Sequence, residues 1–178
     1  MRASLCALMI LGVMVTPGAI RNCAGVPPPA EGLRMKLTSP AFKHQGLIPV
    51  KFTCQGDDVS PPLVIEGIPA RALTLALIVD DPDAPMGTWV HWVMFDIPLT
   101  GTIVEHSDPG TQGRNDFGRT TYGGPCPPSG IHRYFFKLYA LDTKLGLSSS
   151  TTKAELEKAM AGHIVATAEL IGLYKKGL

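Results

Sequence analysis

The chain has 178 residues, enough for one domain with a substantial core. Its 16 basic and 15 acidic residues nearly cancel to a net charge of +1, which leaves no electrostatic footprint for nucleic acid. Sixteen prolines and nineteen glycines imply many turns, and so short strands rather than long helices.

The first stretch reads as an export leader. Arg2 precedes an apolar run, Leu5 to Val15, and small residues follow at Gly18, Ala19, Ala24 and Gly25. Residues 1–25 are therefore expected to be a signal peptide cleaved somewhere from 19 to 25, with no transmembrane segment in the mature chain. A start codon set too early, with a cytoplasmic product, is the alternative. Cys23 invites a lipoprotein reading, but Ile20-Arg21-Asn22 is a poor lipobox. Residues 26–32 hold Pro27-Pro28-Pro29 and read as a short stiff linker, and a single domain is expected over 33–178.

Leu33 to Thr38 alternates cleanly and predicts a strand with one wet face. Ile48 to Cys54 predicts a second, with Pro49 at its start or on an edge. Gln55 to Asp58 is turn chemistry, and Ser60-Pro61-Pro62 leads stiffly into a strand at Leu63–Glu66. The apolar run Leu73 to Val79 predicts a buried strand. It ends in Asp80-Asp81-Pro82-Asp83-Ala84-Pro85, whose prolines fix φ and bias their predecessors to extended geometry, so the acidic turn is stiff. Trp89 to Ile97 follows as another strand, and simple alternation puts Trp89, His91, Val93 and Phe95 on one face. Trp89 is then a pocket candidate and Trp92 a core residue.

From Leu99 to Gly124 the chain is polar and glycine-rich with little periodicity, and loops of that length are usually functional. Asn115-Asp116-Phe117-Gly118 copies a kinase magnesium motif, yet no nucleotide loop, paired lysine or catalytic loop accompanies it. Gly123-Gly124-Pro125-Cys126-Pro127-Pro128-Ser129-Gly130 is a second rigid loop, and it feeds the strand Ile131–Leu141 with His132, Tyr134, Phe136 and Leu138 on one face. Arg133 and Lys137 take the other face, solvated or paired. A helix is predicted from about Thr152, capped by Ser150 or Thr151 and stopped at Gly162. Ala166 to Tyr174 closes the chain as a strand. His44, His106 and His163 sit in polar or terminal contexts and are expected at the surface.

The two motifs DPDAP with W-x-H-W, and GGPCPPSGIHRY, together resemble the phosphatidylethanolamine-binding protein family in its bacterial and archaeal branch. The likeness runs from about Leu33 to the C-terminus. It implies an all-β fold with minor α content, a large antiparallel sheet packed on a smaller one, and a peripheral helix near the C-terminus. It also implies that the residues matching Asp81, His91, His132 and Tyr134 line a small anion pocket for phosphate-like head groups, and that a protein partner such as a kinase or protease is an open role for the surface.

The residues themselves support such a pocket. Imidazole and phenol are good donors to an anion, and the backbone N–H groups of Gly123 or Gly124 are expected to join them. Asp81, which would repel an anion directly, is expected to take a proton from an imidazole and so orient it. Trp89 supplies a stacking wall, while Asp83, Pro85, Pro127 and Pro128 brace the site. No cofactor is expected. Two histidines and Asp81 could make an open zinc site, but no tight ligand pair accompanies them. Cys54 and Cys126 would survive export as an even pair, and a disulfide between them would brace the pocket. Two buried thiols, or a Cys126 nucleophile helped by His132 in a hydrolase, are the alternatives. The expected function is a non-enzymatic periplasmic or secreted binder of a small anionic ligand.

Overall fold

A computed structural model describes residues 34–177. The leader (1–25), the linker (26–32), Cys6, Cys23 and Leu33 lie outside the described residues.

The longest elements arise where the sequence is most apolar. β4 (Thr74–Asp81) is buried along its whole length, β5 (Trp89–Ile97) along most of it, and β8 (Ile131–Leu141) alternates. With β9 (Ile164–Lys175), β2 (Gly46–Leu47) and β7 (Thr111–Gln112) they form a six-stranded sheet in the order β2-β9-β8-β4-β5-β7. A smaller sheet has the order β1-β3-β6, from β1 (Lys36–Thr38), β3 (Leu63–Glu66) and β6 (Thr102–Ile103). Pairing is antiparallel except for the two residues of β2, which run parallel to β9.

β4 is buried on both faces because both are covered, so its sequence is a continuous apolar run rather than an alternation. On one side Leu75, Leu77 and Val79 meet Trp92, Phe136 and Leu138, together with Leu37, Leu63 and Ile65 of the small sheet. On the other, Ala76 and Ile78 join Val90, Val93, Phe95, and Leu156 and Met160 of α1 (Lys153–Met160). The small sheet and the helix thus sandwich the large sheet, and each strip of side chains leaves water for an apolar neighbour, the dominant favourable term in folding.

Three expectations are corrected. Val93 and Phe95 do not share a face with His91. Val79 lies opposite Trp92 and Asp80 opposite Val90, so His91 is an extra residue, a β-bulge that resets the parity of the strand. Val93 and Phe95 consequently face the helix, while Trp92 and Met94 enter the sandwich. Ile48–Cys54 is not a strand: Val50–Phe52 forms a 3-10 turn behind Pro49, which drops Phe52 into the core and carries Cys54 towards the Gly-Pro loop. Neither Ser150 nor Thr151 caps the helix. Thr152 does, its hydroxyl accepting from Glu155 N–H while the Glu155 carboxylate accepts from Thr152 N–H at 2.8 Å, a reciprocal capping box. The Thr152 N–H holds the Glu155 carboxyl below its ordinary range.

Candidate functional site

The site lies at one end of the large sheet, where β4 stops, β5 starts and β8 starts. Asp81 is the last residue of β4 and is buried. One of its oxygens, Oδ1, accepts the N–H of Asp83 at 2.8 Å, the local turn that an Asp followed by proline favours. The other, Oδ2, accepts from His132 Nδ1 at 2.7 Å. His132 thereby holds the orientation that the sequence assigned to one of the two histidines.

The second histidine is held differently. His91 stands out of β5 at the bulge, and its Nδ1–H donates to the Gly123 carbonyl at 2.6 Å. A carbonyl only accepts, so the proton belongs on Nδ1. Burial pushes the His91 imidazole below its usual value, partly offset by that carbonyl and by Asp81. Both rings therefore spend Nδ1 on the protein, and neither Nε2 has a partner among the described residues. Tyr134, next but one to His132 on β8, packs edge-on to His91 with centroids 5.2 Å apart. Its side chain is fully buried, and its hydroxyl has no hydrogen-bond partner among the described residues. Burial and the Asp81 charge drive the Tyr134 phenol well above its ordinary range, so it stays a donor.

These four residues floor a pocket of about 420 Å³. Its walls are apolar: Pro85, Trp89, Phe117, Pro127 and Pro128 line it, with Met86, 97% exposed, at the rim. Trp89 and Phe117 meet edge to face at 5.4 Å, and Phe117 also rests on His91 at 5.3 Å. The prolines expected only to brace the site are thus part of its surface.

Phe117, Met86, Ala84 and Cys126 line the pocket without having been singled out as ligand contacts. For Phe117 the signal was present in the Asn-Asp-Phe-Gly run, which is Asx-turn composition as well as a false kinase motif. Asn115 Oδ1 accepts from the Phe117 and Arg119 N–H groups, both at 3.1 Å. Its Nδ2 donates to the His91 and Thr121 carbonyls at 3.1 and 2.8 Å. Asp116 accepts from Val90 N–H at 2.7 Å. This turn fixes Phe117 and the bulged strand to each other.

Gly123 and Gly124 do not provide free donors. Gly123 N–H bonds the His91 carbonyl at 3.0 Å, and Gly124 N–H bonds Asp58 Oδ1 at 2.6 Å. Their role is close packing: a Cβ on Gly124 would lie 2.6 Å from the Phe52 carbonyl oxygen. Asp83 also stays out of the pocket. Its carboxylate takes the Arg133 N–H and a two-pronged grip from the Arg133 guanidinium, at 2.7–3.0 Å, which lowers its carboxyl to about 2. Arg133 and Lys137 are both paired, the latter with Asp80 at 2.9 Å.

Cys54 and Cys126 are bonded, with Cα atoms 5.4 Å apart, and Cys54 N–H reaches the Pro125 carbonyl at 3.2 Å. The bridge pins the Gly-Pro loop to the turn after Phe52. In this form Cys126 has no thiolate to attack with. Among the described residues no three His, Cys, Asp or Glu side chains converge to hold a metal ion.

A β-sandwich with a preformed, polar-floored, apolar-walled pocket at its sheet end is the architecture of a binding protein. The chain belongs to the phosphatidylethanolamine-binding protein family, whose model matches residues 38–175. It is 50% identical over 151 residues to a UPF0098 protein of Methanothermobacter thermautotrophicus, covering 80% of this chain and all of that one. A UPF0098 protein of Pyrococcus abyssi is also 50% identical, over 82% of this chain and 88% of its own. Among solved structures, a phosphatidylethanolamine-binding protein homologue from Chlamydia trachomatis superimposes with a TM-score of 0.78 at 43% identity, covering 80% of this chain and 98% of that one. E. coli YbcL, described as a member of the mammalian family, gives 0.74 at 32% identity over the same shares.

Proposed function

We propose that the protein is a non-enzymatic binder whose pocket takes phosphate or the phosphorylated head of a small molecule. The observation that carries this reading is the Tyr134 hydroxyl, a buried donor without a partner among the described residues, at the floor of a pocket that also presents two unpartnered imidazole Nε2 atoms. A buried polar group left unsatisfied costs free energy comparable to a lost hydrogen bond, and a ligand that meets it recovers that cost. The walls of Trp89, Phe117 and the prolines suit an apolar or aromatic group attached to the head. The disulfide supports the oxidising compartment that the leader suggests, and the mature protein is exported without at least residues 1–19.

Calorimetric titration with phenyl phosphate tests the pocket. Saturable binding is expected, weakened when His132 or Tyr134 is replaced; absent binding, or binding indifferent to both replacements, overturns the reading. Intact mass of protein from the native source tests export.

A further inference from the structure

A pocket that takes an anion must solve one electrostatic difficulty. Among the described residues no lysine or arginine lines the pocket, and the only formal charge in its lining is the carboxylate of Asp81. With neutral imidazoles the floor offers two lone pairs at Nε2 and a single donor at Tyr134. Such a floor repels an anion.

The charges nearby do not repair this. Arg133 is spent on Asp83, on the other face of β8. Asp80, on the far face of β4, absorbs Lys137 and Lys153. Lys176 Nζ lies 3.9 Å from Cys126 Sγ and is not among the residues that line the pocket. Tyr174, opposite His132 on β9, donates to Gln55 Oε1 at 2.7 Å. His91 is held by the Gly123 carbonyl, Phe117 and Tyr134, and the Asp81 charge, which favours its protonated form, does not outweigh its burial. The remaining source of positive charge in the floor is protonation of an imidazole.

The two imidazoles are not equivalent. His91 Nδ1–H meets a neutral carbonyl, and its burial opposes charge. His132 Nδ1–H meets a carboxylate at 2.7 Å, which matches an imidazolium with an opposite charge in place. We propose that anion capture, if the pocket reading holds, is coupled to the uptake of one proton by His132 Nε2, so that the occupied site contains an imidazolium clamped between Asp81 and the bound anion. Asp81 is thereby the counter-charge that makes the empty and the occupied site differ by one proton. The geometry assigns it a positioning role. The ligand class that follows is a dianion or monoanion with bare oxygens, released as the medium becomes alkaline.

Phenyl phosphate and phenyl sulfate separate a proton taken up by the protein from one carried by the ligand. Phosphate monoesters ionise a second time at about pH 6, whereas a sulfate ester carries no proton near neutrality. Titration of the mature protein at about pH 8, in buffers of differing ionisation enthalpy, is expected to show uptake of about one proton per ligand for both esters, with affinity falling about tenfold per pH unit above the histidine range. His91→Gln should keep the uptake; His132→Gln should abolish it and flatten the pH profile. Should that variant bind too weakly, imidazole nitrogen chemical shifts in the wild type, with and without phenyl sulfate, report the protonated ring directly. Binding of both esters without uptake overturns the proposal and leaves the pocket reading intact. So does uptake that survives His132→Gln, a shift at His91 alone, or phosphate binding with sulfate refused. Failure of both esters to bind at any pH overturns the pocket reading itself.

Discussion

Asp80 and Asp81 are adjacent on β4, and because strand residues point alternately to opposite faces, each carboxylate enters a different world. Asp80, on the helix side, is wholly buried, and its Oδ2 receives Lys137 at 2.9 Å and Lys153 at 2.5 Å. Lys153 begins α1, so the carboxylate ties the helix to the centre of the sheet. Asp81, on the pocket side, receives one imidazole and one backbone N–H. A carboxylate matched by full cations is a joint of the fold. A carboxylate matched by an imidazole has a partner whose charge depends on conditions, and that is the setting binding sites use.

The largest expected effect tests whether the pocket side needs its staple. Replacing Cys54 and Cys126 together by serine removes a bridge across 72 residues and should cost about 4 kcal/mol of unfolding free energy by loop closure, measured in urea. Affinity for phenyl phosphate should fall as well, because Cys126, Pro127 and Pro128 are pocket wall. Loss of stability with affinity intact would move the bridge out of the pocket's support.

Next comes the helix side. Asp80→Asn leaves two lysines facing a neutral group and should cost about 3 kcal/mol, the order seen when one partner of a buried ion pair is removed. Ligand affinity should stay within about twofold, since Asp80 does not line the pocket. Asp81→Asn should do the reverse, losing binding more than stability. Equal behaviour of the two variants would dissolve the contrast.

A smaller effect separates two buried tyrosines. Tyr122 donates to the Phe52 carbonyl at 2.9 Å, and Tyr122→Phe should cost about 1 kcal/mol of stability. Tyr134→Phe removes a hydroxyl with no partner among the described residues, so stability should hold or rise, while phenyl phosphate binding weakens by about 1 kcal/mol. Thermal unfolding and calorimetry on both variants decide it.

The smallest effects are read against pH. His91 binds protons less readily in the fold than at its ordinary value of 6.5, so acidification below 6.5 loads the unfolded chain first and stability declines. His91→Gln should flatten that part of the curve. Asp83, held at about 2 against an ordinary 3.8, contributes stability that is present above 3.8 and is lost as the pH falls to about 2. Arg133→Gln should shift that acid limb upward, and an unmoved limb would deny the pair any part in it.

Much of this was legible in the residues. β4, β5 and β8 announce themselves because each is covered and must be apolar, and Asp81, His91, His132 and Tyr134 converge because each opens or closes one of those strands beside a proline-stiffened turn. The bulge at His91 was not legible. Nothing local distinguishes it, and its cause lies in the partners, β4 across the sheet and Asn115 holding the His91 carbonyl. Phe117 was hidden for the same reason: its place depends on an Asx turn anchored to a strand 24 residues earlier. The spent N–H groups of Gly123 and Gly124 could not be foreseen either, since their acceptors, the His91 carbonyl and Asp58, come from distant chain. β2, β6 and β7, two residues each, are too short to carry any periodicity.

The four side-chain hydrogen bonds of Asn115 bear on how quickly the proposed ligand would be captured. They turn the long polar segment into a frame for the aromatic wall rather than a gate over it. A cleft whose walls stand in position before encounter asks no rearrangement of the visitor, and in stopped-flow mixing its association rate should rise linearly with ligand concentration, without the plateau that a slow opening step imposes.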